Sequence, residues 1–141
     1  MEKEPVAVRK IQQWLSKRGY RLKLAKKRND VCFTEKVVNV QQSLGVQSKT
    51  ATLLHECGHI LVHLCRKKSK DTRVAGASWK EWRRLWSSRS KHSELLNLQE
   101  EMVAWDRGFK LASRLGIRLP AATKRNVRTR SLMTYVRYSS R

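Results

Sequence analysis

Five consecutive residues in the middle of this 141-residue chain have the types and spacing of a catalytic metal-binding motif. Residues 55–59 read His-Glu-Cys-Gly-His, the pattern HExxH. Two histidines four positions apart lie one turn apart on the same face of a helix, so both imidazoles can bind one metal ion. Glu56, beside the first histidine, can act as a general base. The motif predicts a catalytic centre that holds one Zn²⁺ per chain through His55 and His59.

A catalytic zinc site usually has a third protein ligand, and Glu101 on a later helix is the best candidate. The apolar residues of that helix recur every three or four positions and define one face: Leu98, Met102, Trp105, Phe109 and Ala112. At about 100° per residue, Glu101 falls at the border of this face, whereas Glu100 points to solvent. Glu94, on the same side, is the first alternative, and His92 is a weaker one. His63 follows His55 at a distance of about 12 Å along a continuous helix, too far to bind the same ion.

The same motif predicts hydrolysis of a peptide bond. Zinc would lower the pKa of a water molecule toward about 7, and Glu56 would carry its proton to the leaving amine. His92, in the segment that leads into the later helix, is the candidate donor to the developing oxyanion. Cys57 faces away from the two histidines and is expected in the core or behind the ligands.

Two segments carry a resemblance to a known family. Residues 53–61 (LLHECGHIL) and residues 100–105 (EEMVAW) resemble the minimal gluzincin metallopeptidases, and most closely the ImmA/IrrE-like proteins of bacteria and phages. In that family the third ligand is the Glu of an ExxA motif, which corresponds to Glu101 and Ala104 here. The resemblance covers about residues 5–112 and implies a zincin-like zinc peptidase. SprT-like proteases, which act on DNA-crosslinked proteins, are a poorer match.

The elements that must position this motif are short in the first third of the chain. Apolar residues at helical spacing predict a helix over 6–17, which Gly19 ends. Alternating and β-branched segments then predict a small antiparallel sheet of about three strands. These strands are expected over 20–24, from 31 onward, and over 36–41.

Two longer helices follow. The HExxH helix is expected to begin near Ser48 or Thr50 as its N-cap, and the third-ligand helix to run from Ser93 to about Leu115. The sequence thus predicts an α+β, zincin-like peptidase domain over 1–118, followed by a basic C-terminal tail over 119–141.

Charge points to a second class of function. The chain has 32 Lys and Arg against 11 Asp and Glu, a net charge of +21, so it will associate with polyanions at low salt. Three tryptophans at helical spacing, Trp79, Trp82 and Trp86, are either a core stripe or a surface on which bases stack. The candidate contacts to DNA or RNA are Lys80, Arg83, Arg84, Arg128 and Arg130. The alternatives are therefore a nucleic-acid-binding module, a regulatory protein with a non-catalytic zinc site, or a peptidase acting on nucleic-acid-associated proteins.

Several protein classes are excluded by composition. The apolar runs are far shorter than the roughly 18–20 residues that span a membrane, and the charged N-terminus does not resemble a secretory signal. The three cysteines form no CxxC pair, so neither a disulfide framework nor a zinc knuckle is supported. We expect a cytoplasmic monomer with a protein or peptide substrate.

Overall fold

The structure, a computed structural model, describes residues 5–68 and 91–139. Within these residues it is an α+β fold of three strands and four helices. In chain order they are α1 (Val6–Ser16), β1 (Arg21–Ala25), β2 (Asp30–Cys32), β3 (Val37–Gln41), α2 (Val46–Lys68), α3 (Lys91–Arg114) and α4 (Ala121–Ser139). None of the described helices is both long and apolar enough to span a membrane.

Helix α1 forms where its apolar spacing predicts it. The buried residues Val8, Ile11, Trp14 and Leu15 share one face, which packs into the core. Gly19 ends the segment with φ +80°, a conformation that glycine adopts without strain. The chain then enters β1.

The three strands form a mixed sheet in the order β1-β3-β2. β2 pairs antiparallel with β3, but β1 pairs parallel with β3, so the prediction of an antiparallel sheet is wrong for one of the two pairs. Burial explains why β3, and not β2, lies between the other two strands. The β-branched residues Val38 and Val40 are completely buried and occupy the central strand, whereas β1 alternates apolar with basic residues and lies at an edge. Alternation of apolar and polar residues identifies the buried face of a strand but not the strand with which it pairs.

Helices α2 and α3 cross with their backbones in contact. A Cβ at Gly58 would overlap the carbonyl oxygen of Ala104, and a Cβ at Gly108 would overlap that of Leu54. Because Gly58 faces Ala104 while Leu54 faces Gly108, the helices run antiparallel here. Small residues at the crossing permit this close approach.

The close crossing also determines which face of α3 is buried. Its buried residues are Leu96, Glu101, Ala104, Trp105, Gly108, Leu111 and Ala112. Met102, expected at the centre of the apolar stripe, is 42% exposed. The buried face is therefore centred on the small residues and includes Glu101 fully.

Helix α4 occupies the segment that the sequence analysis treated as a basic tail. It packs against both α2 and α3. Thr123 donates a hydrogen bond to Gln47, and Arg128 lies 3.6 Å from Asp106. The segment is therefore a structural element that lies beside the predicted site.

Candidate metal centre

The crossing of α2 and α3 brings the three predicted ligands together. His55 and His59 lie one turn apart on α2, and Glu101 lies on the facing side of α3. One ligand atom from each residue lies within 4.8 Å of the other two, and among the described residues this is the group of His, Cys, Asp or Glu side chains that could hold a metal ion. Glycine at position 58, between the histidines, lets α3 come close enough for a short carboxylate to reach both rings.

Both imidazoles present the same ring nitrogen to the Glu101 carboxylate. Nε2 of His55 lies 2.7 Å from Oε2, and Nε2 of His59 lies 3.1 Å from Oε1. The side chain of His55 is about 10% exposed, that of Glu101 11% and that of His59 15%. The three ligand groups are thus nearly buried, with His59 the most open to solvent.

The other ring nitrogens face two further carboxylates. Nδ1 of His55 lies 3.5 Å from Glu56, and Nδ1 of His59 lies 3.8 Å from Glu100. The prediction that Glu100 points to solvent is wrong, since its side chain is only 15% exposed. Carboxylates in this position orient a histidine ligand and increase its basicity.

Two residues outside the motif complete the surroundings. The ring of Trp105 stacks on His55, with centroids 4.2 Å apart and planes within 5° of parallel, and fixes the orientation of that ring. Tyr135, on α4, donates its hydroxyl to Oε1 of Glu101 at 2.9 Å. Tyr135 was missed by the sequence analysis, because no spacing rule connects it to the HExxH motif.

Electrostatics in this cluster favour positive charge between the carboxylates. Burial lowers the pKa of His59, but its contacts with Glu100 and Glu101 outweigh this effect and raise the pKa to about 10. The pKa of His55 is also raised, since Glu101 and Glu56 outweigh its burial. Burial raises the pKa of Glu101, but the two histidines outweigh it and hold that pKa well below its usual range. The cluster therefore attracts a cation, which can be protons or a metal ion.

The cluster opens into a cleft of about 1040 Å³. One wall comes from β2 and the turn after it, and another from α4. Glu56 lines the same cleft as the histidines, so a molecule bound there has access to the carboxylate and to the ligand group. This arrangement can bring together a metal ion, a buried acidic group and a substrate of peptide size.

Other predicted residues have separate positions. His63 stacks on Phe33, with centroids 4.1 Å apart, and is not part of the ligand group. Cys57 is completely buried in the core, where burial raises the pKa of its thiol. His92 belongs to the first turn of α3 rather than to a preceding loop, and its side chain lies outside the described residues.

The candidate nucleic-acid contacts divide into two groups. Arg128 and Arg130 lie on α4, and Arg130 is exposed at the cleft. The remaining candidates lie outside the described residues, as do the three tryptophans: Lys80, Arg83, Arg84, Trp79, Trp82 and Trp86.

Comparisons with protein-family models, with curated proteins and with solved structures found no match for this chain. The resemblance to the gluzincins therefore stays a prediction, which depends on the motif residues and on the geometry of the site.

Proposed function

We propose that this protein is a zinc-dependent metallopeptidase of zincin-like fold. The observation that carries the proposal is the meeting of His55, His59 and Glu101 at one cleft, although the glutamate lies 42 positions after the second histidine. A chance HExxH sequence does not require a distant carboxylate to contact both imidazoles.

The donor set favours zinc over Mg²⁺ and Ca²⁺. Two imidazole nitrogens and one carboxylate oxygen are the ligands of a common class of catalytic zinc site, whereas Mg²⁺ and Ca²⁺ prefer oxygen donors throughout. When bound, the zinc ion supplies a Lewis acid that activates water near neutral pH and polarises a carbonyl.

Glu56 is the proposed general base. It is buried and lines the cleft beside the ligand group. As the oxygen of water forms a bond to the peptide carbonyl carbon, Glu56 accepts a proton from that water. It then donates the proton to the amide nitrogen as the carbon–nitrogen bond breaks, so the products are a carboxylic acid and an amine.

The cleft suits an extended peptide. Within residues 5–68 and 91–139, β2 lies at an edge of the sheet and lines the cleft, so a substrate backbone can pair with it as an added strand. Backbone pairing would hold a peptide along this wall without requiring a particular side chain. We accordingly propose a protein or peptide substrate.

A nucleic-acid-associated substrate is favoured by the charge of α4. Residues 121–139 contain five Lys or Arg and no Asp or Glu, and this helix forms one wall of the cleft. The alternative, a nucleic-acid-binding module with non-catalytic zinc, predicts DNA or RNA binding that falls steeply with salt and survives removal of the metal. A peptidase predicts protein cleavage that stops when the metal is removed.

Replacing the proposed base separates the metal from the catalysis. Glu56→Gln should lower turnover of an unfolded protein substrate by about 100-fold or more, while one equivalent of zinc is retained. Glu35→Gln is the matched control, because Glu35 is an exposed residue in the turn between β2 and β3. Turnover by Glu56→Gln equal to that of the parent would contradict the mechanism.

A further inference from the structure

Helix α4 contributes one side chain to the metal centre itself. The hydroxyl of Tyr135 donates to Oε1 of Glu101 at 2.9 Å. That oxygen also faces Nε2 of His59, while Oε2 faces His55. The carboxylate therefore has different partners at its two oxygens: Tyr135 and His59 at Oε1, and His55 at Oε2.

Tyr135 is directed inward in a part of α4 that is otherwise open to solvent. Its neighbours Met133, Thr134 and Val136 are all exposed, whereas Tyr135 is partly buried. The contact is thus a specific hydrogen bond to a proposed ligand, made by one residue of an exposed turn.

We propose that Tyr135 is a positioning residue that orients the Glu101 carboxylate for the metal ion, and that it thereby couples the docking of α4 to metal binding. This inference rests on the proposed function, because it takes Glu101 as a ligand. A donor to one carboxylate oxygen restricts rotation of the group and directs the other oxygen toward the metal.

The coupling works in both directions. If the docked α4 strengthens metal binding through Tyr135, then metal binding must stabilise the docked α4 by the same factor. Helix α4 makes other hydrogen bonds to the rest of the chain. Thr123 donates to Gln47 at 3.0 Å, and the indole of Trp105 donates to Ser131 at 3.3 Å. Removal of the Tyr135 hydroxyl should therefore weaken the docking of α4 against α2 and α3.

The test compares two variants that each remove one hydroxyl from α4. Tyr135→Phe removes the hydrogen bond to Glu101, whereas Thr123→Val removes the bond to Gln47 and keeps the side-chain shape. Zinc affinity is measured by competition with a chromophoric chelator, and the Co²⁺-substituted proteins are compared by visible absorption. Hydrogen exchange of α4 amides is measured with and without zinc.

We expect Tyr135→Phe to bind zinc about 10–100-fold more weakly and to shift the Co²⁺ absorption bands. Zinc should also slow exchange in α4 less in this variant than in the parent. Thr123→Val should keep the affinity and the absorption bands of the parent, since α4 stays mostly docked and Tyr135 still donates to Glu101, although its α4 amides exchange somewhat faster. Far-ultraviolet circular dichroism confirms that both variants retain their helices.

Two results would overturn the inference while leaving the peptidase proposal in place. One is a Tyr135→Phe variant with the zinc affinity and Co²⁺ spectrum of a zinc-binding parent. The other is an equal loss of affinity in both variants, which would assign the effect to docking of α4 in general. If the parent binds no zinc, the proposed function fails, and this inference fails with it.

Discussion

The two walls around the candidate metal centre are built in opposite ways. Where α2 crosses α3, glycines at 58 and 108 bring the two backbones into contact, and the ligands lie in that crossing. Helix α4, on another side of the cleft, makes hydrogen bonds through Thr123, Ser131 and Tyr135 and leaves Met133 and Val136 about 40% exposed. The ligands thus lie where two backbones are in contact, whereas the wall beside them makes side-chain hydrogen bonds that single substitutions can remove.

This difference between the two regions corresponds to two requirements of the proposed metallopeptidase. The ligand atoms must keep their positions to within a fraction of an ångström, which a tightly packed crossing provides. A cleft that admits a protein segment needs a wall that can adjust, and we expect α4 to be that wall. Substitutions in the two regions should therefore differ strongly in their effects.

The largest effect is expected at the crossing. Gly58→Ala places a methyl group against the backbone of Ala104, which cannot move without shifting α3. We expect the free energy of unfolding, measured by urea denaturation in the presence of a chelator, to fall by about 3 kcal/mol or more. The zinc affinity should fall as well, since the same shift separates Glu101 from the histidines.

Gly45→Ala is the matched control for this substitution. Gly45 precedes α2, and a Cβ there would have no atom within 4 Å. Its carbonyl oxygen accepts the first hydrogen bond of the helix from Lys49, so alanine at this N-cap should lower stability by less than about 1 kcal/mol. Equal losses in the two variants would show that the crossing is not closely packed.

The smallest effect is expected on α4. Arg128 lies 3.6 Å from Asp106, but the two side chains are 35% and 60% exposed. Solvent screens such a pair, so Arg128→Gln should lower the free energy of unfolding by less than about 1 kcal/mol, and the difference should disappear at high salt. A loss above about 2 kcal/mol that persists in salt would mean that α4 is as firmly attached as α3.

The sequence predicted the parts of the site that follow from the geometry of a single helix. Spacing along α2 places His55 and His59 on one face, and the helical period separates Glu101 from Glu100. The HExxH helix begins at Val46, a little before the expected caps, and Thr50 instead bonds back to the carbonyl of Val46. Such errors at helix ends do not move the ligands.

The packing of one helix on another and the pairing of the strands were predicted less well. A stripe of large apolar residues suggested that Met102 is buried, but a close helix crossing selects small residues, so Ala104 and Gly108 lie at its centre. The same shift places Glu100 near His59 instead of in solvent. The parallel pairing of β1 with β3 likewise depends on how the chain crosses the sheet, which the strand pattern does not encode.

The contribution of α4 was the hardest to foresee. A basic segment with few apolar residues is typical of a solvated tail, and its helix is held by hydrogen bonds that no hydrophobic period reveals. Tyr135 reaches Glu101 from 34 residues away along the chain. Such a contact is visible only once three separate helices have been assembled.

Zinc binding by the parent, by Glu101→Ala and by Glu100→Ala tests the central claim most directly. The two glutamates are neighbours on α3, and both lie near His59, but only Glu101 contacts both histidines. We expect one equivalent of zinc in the purified parent and in Glu100→Ala, and loss of that zinc in Glu101→Ala. Full retention of zinc by Glu101→Ala would contradict it.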